Sequence, residues 1–233
     1  MRDKYFDSKR VSVDKIVDEI YDVSKVGALS IPEVLKEEGR DELLRGIQTV
    51  RPLFKQIPLI QGGVIQDMQL LYVEETPLVK FPSFRRSIQQ FRREYTQFYG
   101  QLARRAGFSR SRSYSMGIHY YSQGSKGISA HRDYATNINM VSIFVLQGEA
   151  PFFVCANKKG DNAVKLEATV GSWILLRTAR KEEEQDLRPF HYVSGPIDHD
   201  RYSLVVRDDI KVKGEFMQDK LTSKGTSNTD HSY

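Results

Sequence analysis

The sequence predicts a mainly β domain, a sandwich or barrel, with α-helices packed on its outside. Three observations predict it. After residue 113 the chain breaks into seven short runs rich in aromatic and β-branched residues (114–121, 139–146, 151–156, 164–169, 172–177, 190–193 and 201–207), and Gly, Asn, Asp or Pro punctuates most of the gaps. Before residue 113 the apolar residues instead recur at helical spacing. A length of 233 residues, with 39% hydrophobic and 28% charged side chains, suits one domain with a buried core.

Taken in order, residues 12–26 read as a first helix, with Val13, Ile16, Val17 and Ile20 on one face and Ser12 as its N-cap. Residues 27–32 form a short extended segment that turns at Pro32, and 33–48 a second helix. Residues 52–82, with Gly62-Gly63 and several prolines, read as loops and short strands of the kind that often covers a site. The longest helix spans 84–106; Ile88, Phe91, Tyr95, Phe98 and Leu102 mark its apolar stripe, the arginine pairs lie off it, and Gly107 ends it. The expected organisation is a single domain over 1–216, helical over 1–112 with a β core over 113–212. The Ser/Thr/Lys/Asp-rich tail from 217 to 233 lacks periodicity and reads as disordered.

Composition excludes several function classes. No run approaches the roughly 18 apolar residues of a membrane helix. The opening MRDKYFDSKR lacks the apolar centre of a secretory signal. One cysteine, Cys155, excludes an internal disulfide and a multi-cysteine zinc site, and points to a reducing, cytoplasmic setting. The net charge of +5 is unevenly spread. From Lys80 to Arg112 there are nine basic residues against one acid, Glu94, so this segment alone is +8 and the rest is −3. That asymmetry points to an anionic partner such as nucleic acid, or else to a solvated helix face.

The chemistry lies in Ala130-His131-Arg132-Asp133. In an extended strand residues i and i+2 project to one side, so His131 and Asp133 can address the same atom. His191 follows at the start of another β run. Two imidazoles and one carboxylate on one face of a metal leave three positions open, which suits an iron(II) that binds a cosubstrate and oxygen. Arg201 and Ser203 then share a face of the run 201–207 with Val205 and Arg207. An arginine turned into an apolar barrel is costly unless it meets an anion, and its planar fork matches a carboxylate. Taken alone, the same strand also reads as an exposed edge with surface arginines.

His131-X-Asp133, His191 and Arg201-X-Ser203 resemble, in order and spacing, the motif of the iron(II)/2-oxoglutarate-dependent dioxygenase superfamily over about residues 114–209. The resemblance implies a double-stranded β-helix, or jelly-roll, core. It also implies oxidative decarboxylation of 2-oxoglutarate by O2, coupled to hydroxylation of an organic substrate. Arg201 would bind the distal carboxylate of 2-oxoglutarate with help from Ser203, while the cosubstrate's other end chelates the iron. Asp133 argues against the related halogenases, which resemble this site with a small residue there. Tyr121-Ser122-Gln123-Gly124-Ser125-Lys126, Val141-Ser142-Ile143, Gly171-Ser172-Trp173 and the pair Arg201 and Arg207 are similar to the AlkB-type nucleic-acid demethylases, which implies a cosubstrate contact from Tyr121. The chain departs from that group at Ser203 and His119, where the group carries Asn.

Other residues have simpler readings. His119 lines either the pocket or the core, core being the simpler; Arg132 faces away from iron, toward substrate or solvent; Arg207 is a further candidate for substrate or anion contact. Trp173, Phe152 and Phe153 read as core aromatics. His199 is an alternative third ligand, 181–184 a solvated loop, and His231 inert in the tail. Three functions are compatible with this pattern: an oxygenase acting on a small organic molecule, an AlkB-like oxygenase whose basic segment 80–112 grips nucleic acid, and a barrel that binds without turnover.

Overall fold

The computed structural model describes residues 4–7, 12–22, 26–108, 114–179 and 185–209. The N-terminal half contains α1 (Val13–Tyr21), β1 (Ala28–Ile31), α2 (Glu37–Thr49), short strands β2 (Lys55–Gln56), β3 (Ile60–Gln61), β4 (Val64–Asp67) and β5 (Gln69–Tyr72), and α3 (Pro82–Arg105). The C-terminal half contains β6 (Tyr114–Tyr121), β7 (Gly127–His131), β8 (Asn137–Gln147), β9 (Phe152–Cys155), β10 (Val164–Leu166), β11 (Trp173–Arg177), β12 (Phe190–Val193) and β13 (Arg201–Asp209). They form two antiparallel sheets, ordered β1-β11-β8-β13-β6-β5-β2 and β10-β9-β12-β7-β4-β3. These face each other as the walls of a double-stranded β-helix, and among the described residues no helix is long and apolar enough to cross a membrane.

Alternation along the strands of the larger sheet makes two cores. On β13, Tyr202, Leu204 and Val206 join a layer shared with Phe91, Tyr95 and Trp173, under the helices. Their neighbours Arg201, Ser203, Val205 and Arg207 point the other way, into the space between the sheets. On β6, Ile118 and Tyr120 face the helices, and His119 and Tyr121 face the inner space. In the helix-side layer the rings interlock: Phe144 stacks on Trp173 at 5.6 Å and meets Phe91 edge-on at 5.3 Å. α3 closes this layer with Phe84, Ile88, Phe91, Tyr95, Tyr99 and Leu102 buried. Pro82 opens it at a position whose N–H has no helical partner, and Arg104 and Arg105 face its negative C-terminal end.

Several boundaries differ from expectation. α2 begins at Glu37 rather than 33, because Leu35 is still extended, bridging Phe6 and donating its N–H to the Gly171 carbonyl. α1 ends at Tyr21, where the Asp22 cap turns extended. β7 was not expected as a separate strand, since Gly-Ile-Ser-Ala-His carries a single β-branched residue. Its place is set instead by pairing with β12 and β4. Gly127 allows this approach: it has φ +74°, and a β-carbon there would lie 2.1 Å from the Val193 carbonyl oxygen. The expected tail 217–233, the loop 181–184, Arg110 and Arg112 lie outside the described residues.

Candidate functional site

β7 and β12 pair so that His131 and His191 are direct cross-strand partners. Their ring centroids stand 4.3 Å apart. Each Nδ1 faces a backbone carbonyl, Ser129 at 2.8 Å and Pro189 at 3.4 Å. A carbonyl only accepts, so Nδ1 of each neutral ring carries the proton and Nε2 keeps its lone pair for the pocket. Phe152 stacks on the His191 ring at 5.7 Å and holds its plane, so it is a pocket wall as well as a core aromatic.

Asp133 corrects one detail. β7 ends at His131, so Asp133 stands in the following turn and not in the extended strand that the i, i+2 argument assumed. It reaches the pocket because arginines hold the turn. Arg207 donates from Nη2 and Nε to Asp133 Oδ1 at 3.1 and 3.3 Å, and Arg188 donates to the Asp133 carbonyl. Asp133 Oδ2 lies 3.6 Å from His191 Nε2. Burial alone would raise the Asp133 carboxyl, but Arg207 and the two imidazoles outweigh it and hold it well below the usual carboxylate range.

Asp186 and Arg188 are the residues that the sequence reading missed. Asp186 takes a two-pronged contact from Arg188 at 2.8 and 2.6 Å, and a further one from Arg132 at 2.9 Å. This clasp ties the turn carrying Asp133 to the segment entering β12. Its only sequence signal is Asp-Leu-Arg just before His191, which has no spacing rule. Arg132 also covers the Phe190 ring at 4.1 Å and is not among the residues lining the pocket.

Opposite the histidines, β13 lies between β8 and β6 in the centre of its sheet, not at an edge. Arg201 is 1% exposed, with Tyr121 as its aromatic neighbour at 5.7 Å. Its Nε and Nη2 are buried with no hydrogen-bond partner. Gly148, at φ +70°, lets the chain pass close to Arg201: a β-carbon there would lie 2.3 Å from the Asp200 carbonyl oxygen. Ser203 and Tyr121 line the same pocket, as does His119, which therefore belongs to the site and not to the core. Burial pushes the Tyr121 phenol up to about 12. His199 is exposed and outside the pocket.

The pocket opens to solvent, and its empty space is about 380 Å³ when the open solvent at its mouth is counted. It brings together His131, Asp133, His191, Arg201, Ser203, Tyr121, His119 and Arg207, while Arg132 stays outside. As the side chains stand, no three or more His, Cys, Asp or Glu among the described residues form a group that could hold one metal ion. The donor set nevertheless fits iron(II) in kind, two imidazole lone pairs and a carboxylate. The unpartnered Arg201 nitrogens fit a carboxylate ligand.

Among solved structures the chain is similar to a prolyl hydroxylase from Trichoplax adhaerens in complex with a hypoxia inducible factor oxygen degradation domain peptide fragment (TM-score 0.62, 10% identity, 92% of this chain and 94% of that one). It is similar to the non-heme alpha ketoglutarate dependent epimerase SnoN from nogalamycin biosynthesis (0.59, 13%, 94% and 92%). A 2OG-Fe(II) oxygenase family protein from Burkholderia pseudomallei matches at 0.52 with 17% identity, over 89% of this chain and 94% of that one. The fold is that of the iron(II)/2-oxoglutarate oxygenases. No family model and no curated protein matches the sequence. In this oxygenase fold the pocket described above lies between the two sheets, so the candidate ligands and Arg201 face each other across the jelly-roll interior.

The buried imidazoles carry a pH signature. Burial, with His131 adding to it, pushes His191 down from 6.5 to about 4; burial and then Arg207 push His119 down to about 3. In the unfolded chain both take protons near 6.5, so below that pH the unfolded state binds more protons than the folded one. Stability is therefore full above pH 6.5 and lost as pH falls toward 4, by up to about 2.7 kcal/mol per pH unit for two protons. Urea midpoints of the chelator-treated protein between pH 7 and 4.5 should show this slope, and His119→Asn should flatten it. An unchanged slope in that variant would assign the protons elsewhere.

Proposed function

We propose that the chain is an iron(II)- and 2-oxoglutarate-dependent dioxygenase that hydroxylates an organic substrate. The observation that carries this reading is Arg201: a fully buried guanidinium, two nitrogens unpartnered, across a pocket from two histidines and a carboxylate. A buried cation without an anion is unfavourable, so the pocket is built for an anionic ligand. His131, Asp133 and His191 would hold the metal, with the Ser129 and Pro189 carbonyls fixing the ring orientations. Arg201 would grip the distal carboxylate of 2-oxoglutarate, with the Ser203 and Tyr121 hydroxyls beside it. Iron(II), 2-oxoglutarate and O2 together supply the oxidising chemistry that yields succinate, carbon dioxide and a hydroxylated C–H bond. Phe152, Ile128, Ile143 and Val205 keep water from that chemistry. A barrel kept for binding alone would be free to lose these groups, and here the whole set stands.

The substrate is read as a small organic molecule; the prolyl hydroxylases among the similar structures put peptidyl proline on the same test panel. The AlkB-like alternative has the charge of 80–112 in its favour, but the exposed arginines of α3 lie across the larger sheet from the pocket, which places them badly for gripping a base inserted there. A cytoplasmic setting belongs to this reading, on the single Cys155. The test is succinate formation from 2-oxoglutarate, followed by mass spectrometry. It should require iron(II) and O2, stop with a chelator, and rise with a true substrate. A purified chain that binds neither iron(II) nor 2-oxoglutarate would sink the proposal.

A further inference from the structure

The basic segment has no role in the pocket, and the structure shows how its charge is arranged. Among its residues Arg85, Arg86, Arg93, Arg104 and Arg105 are exposed on α3. Arg92 is different, pairing with Glu74 at 2.5 Å. The segment's one acid is spent internally: Glu94 Oε2 accepts from the Lys4 and Tyr5 backbone N–H groups at 2.9 and 2.8 Å, and Oε1 from Gln90 at 3.1 Å. Glu42 pairs with Lys4. Among the described residues the five exposed arginines make no ion pair.

Their spacing makes a line. At 3.6 residues per turn, Arg86, Arg93 and Arg104 fall within about 20° of one another, opposite the buried stripe. At 1.5 Å per residue they span about 27 Å. Arg85 and Arg105 flank the ends, and exposed Gln89, Gln97 and Gln101 lie between, side chains that hydrogen-bond phosphate oxygens.

The same face argues against other polyanions. A membrane-surface helix needs apolar side chains to bury in lipid. The large apolar residues of α3 are turned into the core, and none is among the exposed large hydrophobic residues; Val79, just upstream, is the nearest in sequence. A single-strand platform needs exposed aromatic rings for bases to stack on, and this face has none. What remains is a straight row of guanidinium groups and amides, suited to the regular phosphates of a duplex.

We propose that the outer face of α3 is a docking surface for the phosphate backbone of double-stranded nucleic acid, separate from the pocket. It holds the chain on its partner in a sequence-independent manner while the inner site stays free. The proposal is independent of the oxygenase reading.

The test uses the full chain and mixed-sequence DNA and RNA duplexes a little over two turns long, followed by fluorescence anisotropy. With three to five phosphate contacts, affinity should fall about 40- to 500-fold between 50 and 200 mM salt. The triple variant Arg86→Gln, Arg93→Gln, Arg104→Gln should bind at least tenfold more weakly, with its logarithmic salt slope reduced by about three units. Its urea midpoint and succinate formation should match the wild type, because these side chains touch neither core nor pocket. A similar loss on DNA and RNA duplexes supports backbone recognition; a loss on one alone would overturn sequence- and sugar-independent docking. The proposal is overturned by absent or salt-independent duplex binding, by a triple variant that binds as well as the wild type, or by tighter binding to the corresponding single strand. Tighter binding to phosphatidylserine vesicles than to duplex would overturn it too.

Discussion

Asp133→Ala is expected to lose bound iron and at least a hundredfold of succinate formation. The carboxylate is the single anionic member of the candidate ligand set, and it stays ionised because Arg207 and two imidazoles outweigh its burial. Alanine removes a metal donor and also the partner of Arg207, whose side chain is only 22% exposed. Leaving that cation without its carboxylate should cost about 1–3 kcal/mol of stability. Iron per chain after gel filtration, succinate yield and a urea titration measure the three effects separately. A variant that kept its iron and its turnover would remove Asp133 from the site, whatever happened to stability.

Arg201→Met is expected to do the opposite to stability. In the ligand-free protein, Arg201 is a buried cation with two unpartnered nitrogens, and burial pushes its pKa down from the ordinary arginine value. Methionine fills a similar space without a charge, so the ligand-free variant should be more stable by about 1–4 kcal/mol. If Arg201 grips 2-oxoglutarate as proposed, the same change removes one half of that ion pair and should weaken its binding about 30-fold to several thousand-fold. Calorimetric titration of 2-oxoglutarate and urea unfolding without it check the two halves. Gained stability with lost binding is what a preorganised anion site predicts. Lost stability with unchanged binding would make Arg201 a structural residue.

The sequence was legible where the chemistry is local. Alternation along 201–207 put Arg201 and Ser203 on one face, and the structure shows that face lining the pocket. The runs 114–121 and 190–193 match β6 and β12 residue for residue, because aromatic and β-branched side chains mark them and turn residues bound them. The apolar stripe on 84–106 likewise foretold which side of α3 is buried. The site was less legible wherever its parts are held from a distance. β7 is weak in strand-forming residues and exists by pairing with β12 and β4. Asp133 leaves the strand, so its aim comes from Arg207 and Arg188, which lie 74 and 55 residues along the chain.

What the sequence determined by itself was therefore the type of each element and the identity of the chemical groups, through periodicity and side-chain kind. Which groups meet was decided by tertiary structure. Sheet pairing set His131 beside His191, and the central place of β13 turned Arg201 from a surface cation into a buried one. The layer order also put the arginines of α3 and the pocket on opposite sides of one sheet. The physical reason is that strand faces and helix stripes repeat over a few residues, whereas burial and pairing depend on neighbours that only the closed fold brings together.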